Sequence, residues 1–306
     1  MRRAPLVPFA LFAFCVSPVI EGFSVPVAAG TAKTPRVASM PKSKGAKPDD
    51  VPAVLVEHAV AWAAANGLGM VVNDKDKGLF TSTHLPFSLL PYALPSECHE
   101  QAKVLAPLFN TLVDKISRDG PWLKEVLADV LAGDEFTSEL VRIHETIEAE
   151  GGPRQPVCLA INRSDYMLHA PDDGVTSPHL LQVELNTIAS SFGCMSALTS
   201  KMHRHLLARF GSESSNAGKA VRNHAASLGI EAGQGEELAR LIPDNPTLTE
   251  LPRALAAAHE CYGKQDAVVL FVVQPGETNT VDQRLLEMKL WDNHGVRVVR
   301  MSLAEV

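Results

Sequence analysis

The stretch Leu180–Phe192, which reads LLQVELNTIASSF, places polar side chains at alternating positions. Successive side chains of a β-strand point to opposite faces, so Gln182, Glu184 and Asn186 would share one face of a strand. Because burying an unpaired carboxylate is costly, this polar face should meet water, a cation or a polar ligand. The residues expected to bury on the opposite face are Leu181, Val183 and Leu185.

Glu184 and Asn186 carry hard oxygen atoms, the kind of ligand that Mg²⁺ prefers in proteins. A bound Mg²⁺ usually takes one or two protein carboxylates and completes its shell with water and phosphate oxygens. The same spacing also fits a polar strand face that is simply solvated. The pattern therefore predicts a candidate metal site, with a solvated strand face as the alternative.

Arg163 lies in the run NRSDYM and closes a strand predicted over Val157–Ile161. An arginine at the end of a strand commonly forms a surface ion pair. Its planar guanidinium can instead hold a carboxylate or phosphate through two parallel hydrogen bonds. The residue pattern leaves both interpretations open.

Two other patterns do not favour a functional site. The run GSESSNAGK, residues 211–219, superficially resembles a phosphate-binding loop, but its glycines have the wrong spacing and no strand precedes it. His203 and His205 are two residues apart on a predicted helix, so they do not share a face. We expect them to be separate surface or capping residues rather than a metal-binding pair.

Regular elements are predicted from the spacing of apolar residues and from capping residues. The loop Leu85–Pro95 contains three prolines, which argue against a helix or a central strand. The first two predicted strands form a hairpin-like pair, and the last two belong to a parallel β-α-β unit. The predicted helices are Val54–Asn66, Ser96–Arg118, Pro121–Leu131, Phe136–Glu148, Ser196–Phe210, Gly218–Leu228, Leu251–Tyr262 and Val281–His294. The predicted strands are Val157–Ile161, Leu180–Leu185, Ala267–Val273 and Val296–Arg300.

The composition excludes some classes of function. The chain has 306 residues, of which 46% are hydrophobic and 21% charged, as in globular proteins. Residues 1–50 contain seven basic and three acidic side chains, so the remainder holds 21 basic and 32 acidic ones. A body this acidic gives no support to nucleic-acid binding. The four cysteines after residue 50 form no CxxC pair, so reduced and mostly buried thiols are expected.

Residues 1–50 are expected to be a targeting presequence that takes no part in the fold. Arg2 and Arg3 precede an apolar run over Ala4–Ile20 that resembles a signal peptide. This run contains three prolines and is a poor membrane span, so no membrane contact is expected of the mature part. Residues 22–48 contain five basic and no acidic side chains, which is typical of a transit peptide. Import into a plastid or another organelle is the first expectation, and the alternatives are secretion and a cytoplasmic protein with a disordered or wrongly assigned N-terminus.

Four runs occur in a fixed order: NRSDYM at 162–167, QVELNTIASSFG at 182–193, HRHLL at 203–207 and ETNTVDQRLLE at 277–287. In this combination the chain resembles the eukaryotic-type glutathione synthetases. The helical N-terminal part and its loop FSLLPYALP, residues 87–95, fit the same family. The resemblance extends from about residue 52 to residue 306, and it is loosest over residues 209–252.

The resemblance implies an ATP-dependent ligase with an ATP-grasp fold. Such an enzyme joins γ-glutamylcysteine to glycine. ATP phosphorylates the cysteinyl carboxylate, the glycine amine attacks the resulting acyl phosphate, and phosphate leaves. The resemblance also implies Mg²⁺ as cofactor, ATP as co-substrate and a homodimer as the assembly.

The resemblance further implies particular site residues. Glu184 and Asn186 fall on magnesium ligands, and Glu184 also falls on an ATP-binding position. The family commonly has serine at the position of Ala189, and Ser190 would point the other way in an extended segment, so it does not simply replace that hydroxyl. The positions implied to contact substrate are Arg163, Ile188, Ala189, Ser190, Ser191, Glu277, Asn279 and Gln283.

The expected fold class is α/β, namely a truncated ATP-grasp-type fold of the eukaryotic glutathione synthetases. A helical N-terminal region would lie on a mixed sheet. Residues 51–265 are assigned to the N-terminal part of the ATP-binding domain and residues 266–306 to the start of a Rossmann-like substrate domain. The family continues beyond the position that matches Val306, so the chain alone is expected to lack ligase activity. The alternative function is that of a non-catalytic binding or regulatory relative.

Overall fold

The computed structural model describes residues 51–72, 81–155, 157–171, 177–230, 233–264 and 266–306, and the predicted presequence lies outside these ranges. Helices and strands follow one another in an α/β arrangement, as expected. The helices are α1 Ala53–Asn66, α2 Ser96–Ser117, α3 Gly120–Val126, α4 Ala128–Leu131, α5 Glu135–Ala149, α6 Gly193–Gly211, α7 Asn216–Ser227, α8 Glu236–Ala239, α9 Thr247–Tyr262 and α10 Thr280–His294. The strands are β1 Gly69–Val71, β2 Ser82–His84, β3 Arg163–His169, β4 His179–Asn186, β5 Val269–Val272 and β6 Val298–Met301.

Most helices begin and end close to their predicted positions because the capping residues are explicit in the sequence. α1 ends at Gly67, whose φ of 75° lies in the left-handed region that glycine adopts without strain. α10 ends in the same way at Gly295, with φ 66°. One prediction is wrong: the helix predicted over Pro121–Leu131 is interrupted at Leu127, which separates α3 from α4.

The first predicted strand, Val157–Ile161, is also wrong. Within the described part of this segment only Leu159 forms a bridge, and the extended segment that pairs with β4 is β3. Arg163 therefore begins a strand instead of closing one. The short apolar run indicated extended structure, but pairing with β4 selects the more polar segment after it, and apolar content does not report on pairing.

The chain forms two compact units, and the ranges below start at residue 51, where the described part of the chain begins. Unit 1 comprises residues 96–167 and 182–189 and contains α2 to α5 with the beginning of β3 and the end of β4. Unit 2 comprises residues 51–95, 168–181 and 190–306 and contains the remaining elements.

The core of unit 2 is built around α6, which packs against α1, α7, α8, α9 and α10. Met202 and Leu206 of this helix are fully buried, and Phe210 is almost fully buried. β5 and β6 come before and after α10 in the sequence, and they pair with each other in parallel, with Val269 opposite Val298. This pairing confirms the predicted β-α-β unit. No helix in the described ranges is long and apolar enough to cross a membrane.

Unit 1 exposes apolar side chains along two helices and one strand. The expected burial of one face of β4 is wrong at two positions. Val183, in unit 1, is 59% exposed, and Leu181, in unit 2, is exposed as well. Alternation along a strand identifies its apolar face but does not supply the element that covers it. The exposed stripes on the helices are Val104, Leu108 and Leu112 on α2, and Phe136, Leu140, Ile143 and Ile147 on α5.

The histidines and cysteines differ in part from expectation. His203 is buried, and its Nε2 donates to the carbonyl oxygen of Ser88 at 2.8 Å, so the expectation of a surface or capping residue is wrong for it. The Nε2 atoms of His205 and His58 lie 2.8 Å apart.

All four cysteines in the described ranges are free, and burial raises the pKa of the Cys194 thiol to about 12. Of these four, Cys98 and Cys194 are buried and Cys261 is exposed.

Candidate functional site

The beginning of β3 and the end of β4 lie side by side in unit 1. Asn186, the last residue of β4, directs its side-chain Nδ2 towards the backbone oxygen of Arg163, the first residue of β3, at 3.4 Å. Strand pairing thus brings together two residues that are 23 positions apart in the sequence. The sequence predicted both as site residues, and within unit 1 the structure places them next to each other.

Arg163 and Asp165 form a two-point ion pair on β3. The Nε of Arg163 donates to Oδ1 of Asp165 at 2.8 Å, and its Nη2 donates to Oδ2 at 3.0 Å. The hydrogen bond from Arg163 is the main cause that lowers the pKa of the Asp165 carboxyl, and Asp165 in turn raises the pKa of Arg163. Both side chains are more than a third exposed, so a ligand can reach the pair.

Asn186 links this ion pair to Glu184. Its Nδ2 lies 3.3 Å from Oδ2 of Asp165 and 3.1 Å from Oε1 of Glu184. The amide nitrogen therefore occupies a point where oxygens from three residues converge, which is a site that favours positive charge. Within the described ranges, no group of three or more His, Cys, Asp or Glu side chains is arranged to hold a metal ion, so an ion here would rely on Asn186 and on water as well.

The loop after β4 carries the predicted substrate residues 188–191. Ile188 is 86% exposed, and Ala189 has a φ of 51°, in the left-handed region that alanine rarely adopts. Phe192, directly before α6, has a φ of 69°. Unusual backbone conformations at both ends of a short loop require support from neighbouring groups, because each costs on the order of 1–3 kcal/mol.

A second group of predicted residues lies in unit 2, at the beginning of α10. Glu277 accepts a hydrogen bond from the backbone nitrogen of Asn279 through Oε1 at 2.8 Å. The Oδ1 of Asn279 is buried and has no hydrogen-bond partner within the described structure. Gln283 accepts a hydrogen bond from Nη2 of Arg300 at 2.6 Å. A buried amide oxygen without a partner is uncommon and indicates a position where a ligand or water can donate.

Asp282 is a residue that the sequence reasoning missed. It is only 7% exposed, and its carboxylate accepts hydrogen bonds from the backbone nitrogens of Phe192 at 2.7 Å and Met195 at 3.1 Å. Within unit 2 it thus ties Phe192 and the beginning of α6 to α10, the helix that carries Gln283. A signal for it exists in the sequence, because Asp282 falls on the same helical stripe as the buried Leu290, where a carboxylate needs partners.

The candidate site residues of unit 1 are of the types that can bind an anion and a cation next to each other. Glu184 and Asn186 offer hard oxygens to a divalent cation, and the guanidinium of Arg163 offers donors to a carboxylate or phosphate. A family model described as "Eukaryotic glutathione synthase, ATP binding domain" matches residues 49–305. The chain belongs to this family. The glutathione synthase match includes every predicted site residue in both units.

Curated relatives agree with the family. A glutathione synthetase from Dictyostelium discoideum is 34% identical over 257 residues, which cover 82% of this chain and 49% of the relative. A chloroplastic glutathione synthetase from Arabidopsis thaliana is 36% identical over 261 residues, covering 82% of this chain and 42% of the relative. The chain spans about half the length of the curated relatives that it matches.

A solved structure with the same fold is that of a glutathione synthetase-like effector from Globodera pallida in apo form. The TM-score is 0.62 at 23% sequence identity, and the match covers 84% of this chain and 52% of that one. At this level of identity the likeness establishes the fold, and it agrees with the expected α/β class of the glutathione synthetases.

Proposed function

We propose that this member of the glutathione synthase family contributes to an ATP-dependent ligase that joins γ-glutamylcysteine to glycine, giving glutathione, ADP and phosphate. The observation that carries the proposal is the cluster of Arg163, Asp165, Glu184 and Asn186 at the paired ends of β3 and β4. It combines donors for an anionic substrate with oxygens for a cation, and phosphoryl transfer to a carboxylate requires both.

Glu184 and Asn186 would hold Mg²⁺, and Glu184 would also lie at ATP. The donors fit this ion: the Asn186 side chain already lies 3.1 Å from Glu184, and an amide can offer its oxygen after a half-turn. Mg²⁺ neutralises the charge of the transferring phosphoryl group when it is bound. Glu184 and Asn186 would then help to orient the nucleotide, and water and phosphate oxygens would supply the remaining ligands.

Arg163 would hold a carboxylate of γ-glutamylcysteine through the donors that Asp165 leaves available. In unit 2, the unpartnered Oδ1 of Asn279 supports a role in accepting a hydrogen bond from the dipeptide. Ala189 offers no hydroxyl, so one hydrogen bond common in the family is replaced or lost at this position. The remaining proposed substrate contacts are Ile188, Ser190, Ser191, Glu277 and Gln283.

The wider setting of the protein also belongs to this proposal. Residues 51–265 would form part of the ATP-binding domain, and residues 266–306 would begin the substrate-binding domain. The residues before 51 would direct the protein to a plastid or another organelle, and the chloroplastic names of two plant relatives support this assignment. We further propose that the active form is a homodimer.

The proposal is tested by joining the chain to the complementary part of a relative. The full 306-residue chain is fused to the segment of the Arabidopsis thaliana glutathione synthetase that follows the matched region. Purified fusion protein is supplied with ATP, Mg²⁺, γ-glutamylcysteine and glycine, and glutathione is measured by mass spectrometry. The complete Arabidopsis protein is the positive control, and the 306-residue chain alone is assayed in parallel.

We expect glutathione to form only when all three substrates and Mg²⁺ are present, with turnover of about 1 s⁻¹ or above. The chain alone should give no turnover, because closing water out of a phosphoryl-transfer site needs both sides of that site. A folded fusion protein that forms no glutathione would favour the alternative of a non-catalytic binding or regulatory relative.

A further inference from the structure

We propose that Asp165 is a positioning residue: it fixes the guanidinium plane of Arg163 so that the remaining edge of this group binds a carboxylate of the dipeptide. This inference rests on the proposed function. Asp165 itself would not touch the substrate. Its effect would be to present Arg163 in one orientation before the substrate arrives.

The two hydrogen bonds between these residues determine which donors remain. A guanidinium carries five N–H groups in a fixed planar fork. Asp165 occupies the side edge, formed by Nε and one hydrogen of Nη2, at 2.8 and 3.0 Å. The terminal edge, formed by Nη1 and the second hydrogen of Nη2, points away from Asp165. That edge has the spacing needed to bind a second carboxylate through two parallel hydrogen bonds.

Asp165 is itself held in place from the neighbouring strand. Asn186 donates to Oδ2 of Asp165 at 3.3 Å and to Glu184 at 3.1 Å. Arg163 and Asp165 are two residues apart on β3, so their side chains leave the strand on the same side. The orientation of Arg163 is therefore coupled through Asp165 to Asn186, one of the residues proposed to hold Mg²⁺.

Two other roles for Asp165 predict different results. A surface ion pair of ordinary strength contributes little, and removing it should change neither stability nor substrate use. A carboxylate that competes with the substrate for Arg163 should, when neutralised, allow the substrate to bind more tightly. Positioning predicts the opposite sign, because an arginine that is free to rotate loses part of its preorganisation.

The matched control is a second two-point pair in unit 1. On α5, Nε of Arg142 donates to Oε2 of Glu139 at 2.8 Å, and Nη2 donates to Oε1. This pair has the same chemistry and is exposed, but it contains none of the predicted site residues. Glu139→Gln therefore reports the cost of breaking such a pair where no ligand is expected.

The experiment compares Asp165→Asn, Asp165→Glu and Glu139→Gln in the fusion protein described above. For Asp165→Asn we expect kcat/KM for γ-glutamylcysteine to fall about 10-fold, mainly through KM, while KM for ATP changes less than about 2-fold. Asp165→Glu should restore part of the loss, since it keeps the charge. Glu139→Gln should leave all constants unchanged within about 2-fold. An unchanged or lowered KM for the dipeptide in Asp165→Asn would overturn the proposal.

A second measurement keeps the inference separate from the proposed function. The Nε–Hε signal of Arg163 is followed by NMR in the 306-residue chain and assigned by its loss in Arg163→Lys. We expect a signal that exchanges slowly with water in the wild type and rapidly in Asp165→Asn. If the fusion protein is inactive but this difference is seen, the proposed function has failed while Asp165 still orients Arg163. Equal exchange in both proteins would contradict the positioning role.

Discussion

The buried carboxylate of Asp282 accepts a hydrogen bond from the backbone nitrogen of Phe192 at 2.7 Å, across 90 positions of the sequence. Phe192 has a φ of 69° and provides no side-chain cap of its own, so Asp282 caps the beginning of α6 in its place. Negative charge at a helix N-terminus is favourable, and the second bond, to Met195, adds to it. Within unit 2, Phe192 is thereby fixed next to α10, the helix that carries Gln283.

Asp282→Ala should destabilise the chain markedly. Two hydrogen bonds to a buried carboxylate are lost, and two backbone N–H groups are left without their acceptor, so we expect a loss of about 3 kcal/mol in the free energy of unfolding. Urea unfolding followed by circular dichroism provides the measurement. Asp292→Asn, at an exposed ion pair of the same helix, should cost less than about 0.5 kcal/mol. Equal stability of Asp282→Ala and the wild type would show that the cap contributes nothing.

The stability of the chain should fall as the pH drops below 6.5. Burial is the main cause that lowers the pKa of His203 and of His205, for which the ordinary value is 6.5. The unfolded chain therefore binds a proton at these histidines more tightly than the folded chain does. Their contribution to stability is complete above the pKa of the unfolded chain, and it is lost as the pH falls through the lower pKa of the folded chain. Urea midpoints measured from pH 7.5 to pH 5 should show this decrease.

His203→Gln should make the urea midpoint less dependent on pH over this range, because it removes a side chain whose pKa is lowered by burial in the folded chain. His294→Gln, at an exposed position, is the matched control and should retain the full dependence. A pH profile of His203→Gln identical to that of the wild type would contradict the assignment.

The apolar stripes of unit 1 should bind a hydrophobic dye. Leu108 on α2 and Phe136 on α5 are 62% and 72% exposed, and each belongs to a stripe of apolar side chains at helical spacing. We expect the 306-residue chain to enhance the fluorescence of 8-anilinonaphthalene-1-sulfonate while folded. The double variant Leu108→Glu, Phe136→Glu should lower this signal at least about 2-fold without lowering the melting temperature, since neither side chain is buried. An unchanged signal would show that the dye binds elsewhere.

Arg163→Lys should reduce use of the dipeptide in the fusion protein. Lysine keeps the charge but loses the planar fork that pairs with two carboxylates at once. Loss of charge-assisted hydrogen bonding should lower kcat/KM for γ-glutamylcysteine about 10-fold to 150-fold and change ATP affinity much less. Steady-state kinetics with each substrate varied in turn measures this. A loss confined to ATP, or none at all, would mean that Arg163 does not hold the dipeptide.

Local signals in the sequence predicted most of the helices and singled out Glu184, Asn186 and Arg163 as candidates, whereas the other candidate site residues were implied by the family resemblance. Gly67 and Gly295 mark helix ends because the left-handed conformation is nearly reserved for glycine. The position of β3 could not be predicted in the same way, since strand pairing is a property of two segments and not of one. For the same reason the sequence did not single out Asp165, because its contacts include Asn186 on the neighbouring strand as well as Arg163 on its own strand.

Long-range partners account for the other differences. The position of Asp282 on the helix indicates that its carboxylate needs partners, but its two backbone donors lie 90 and 87 positions away, and no local spacing identifies them. His203 was expected to be a surface or capping residue, but it is buried and donates to the carbonyl oxygen of Ser88, 115 positions away. Burial of a polar side chain depends on such a partner, and the partner becomes known only once the chain is folded.

The magnesium dependence of glutathione formation, compared between the wild-type fusion protein and Glu184→Gln, tests the proposed function most directly. Glutamine is nearly isosteric with glutamate but neutral, so it should weaken coordination of the ion. Because loss of even an outer partner of a metal site costs 10-fold to 100-fold, loss of a ligand should raise the Mg²⁺ concentration for half-maximal rate at least about 10-fold. Glu139→Gln, which changes another exposed carboxylate of unit 1, should leave this concentration unchanged. A rate and a magnesium dependence in Glu184→Gln equal to those of the wild type would contradict the proposed site.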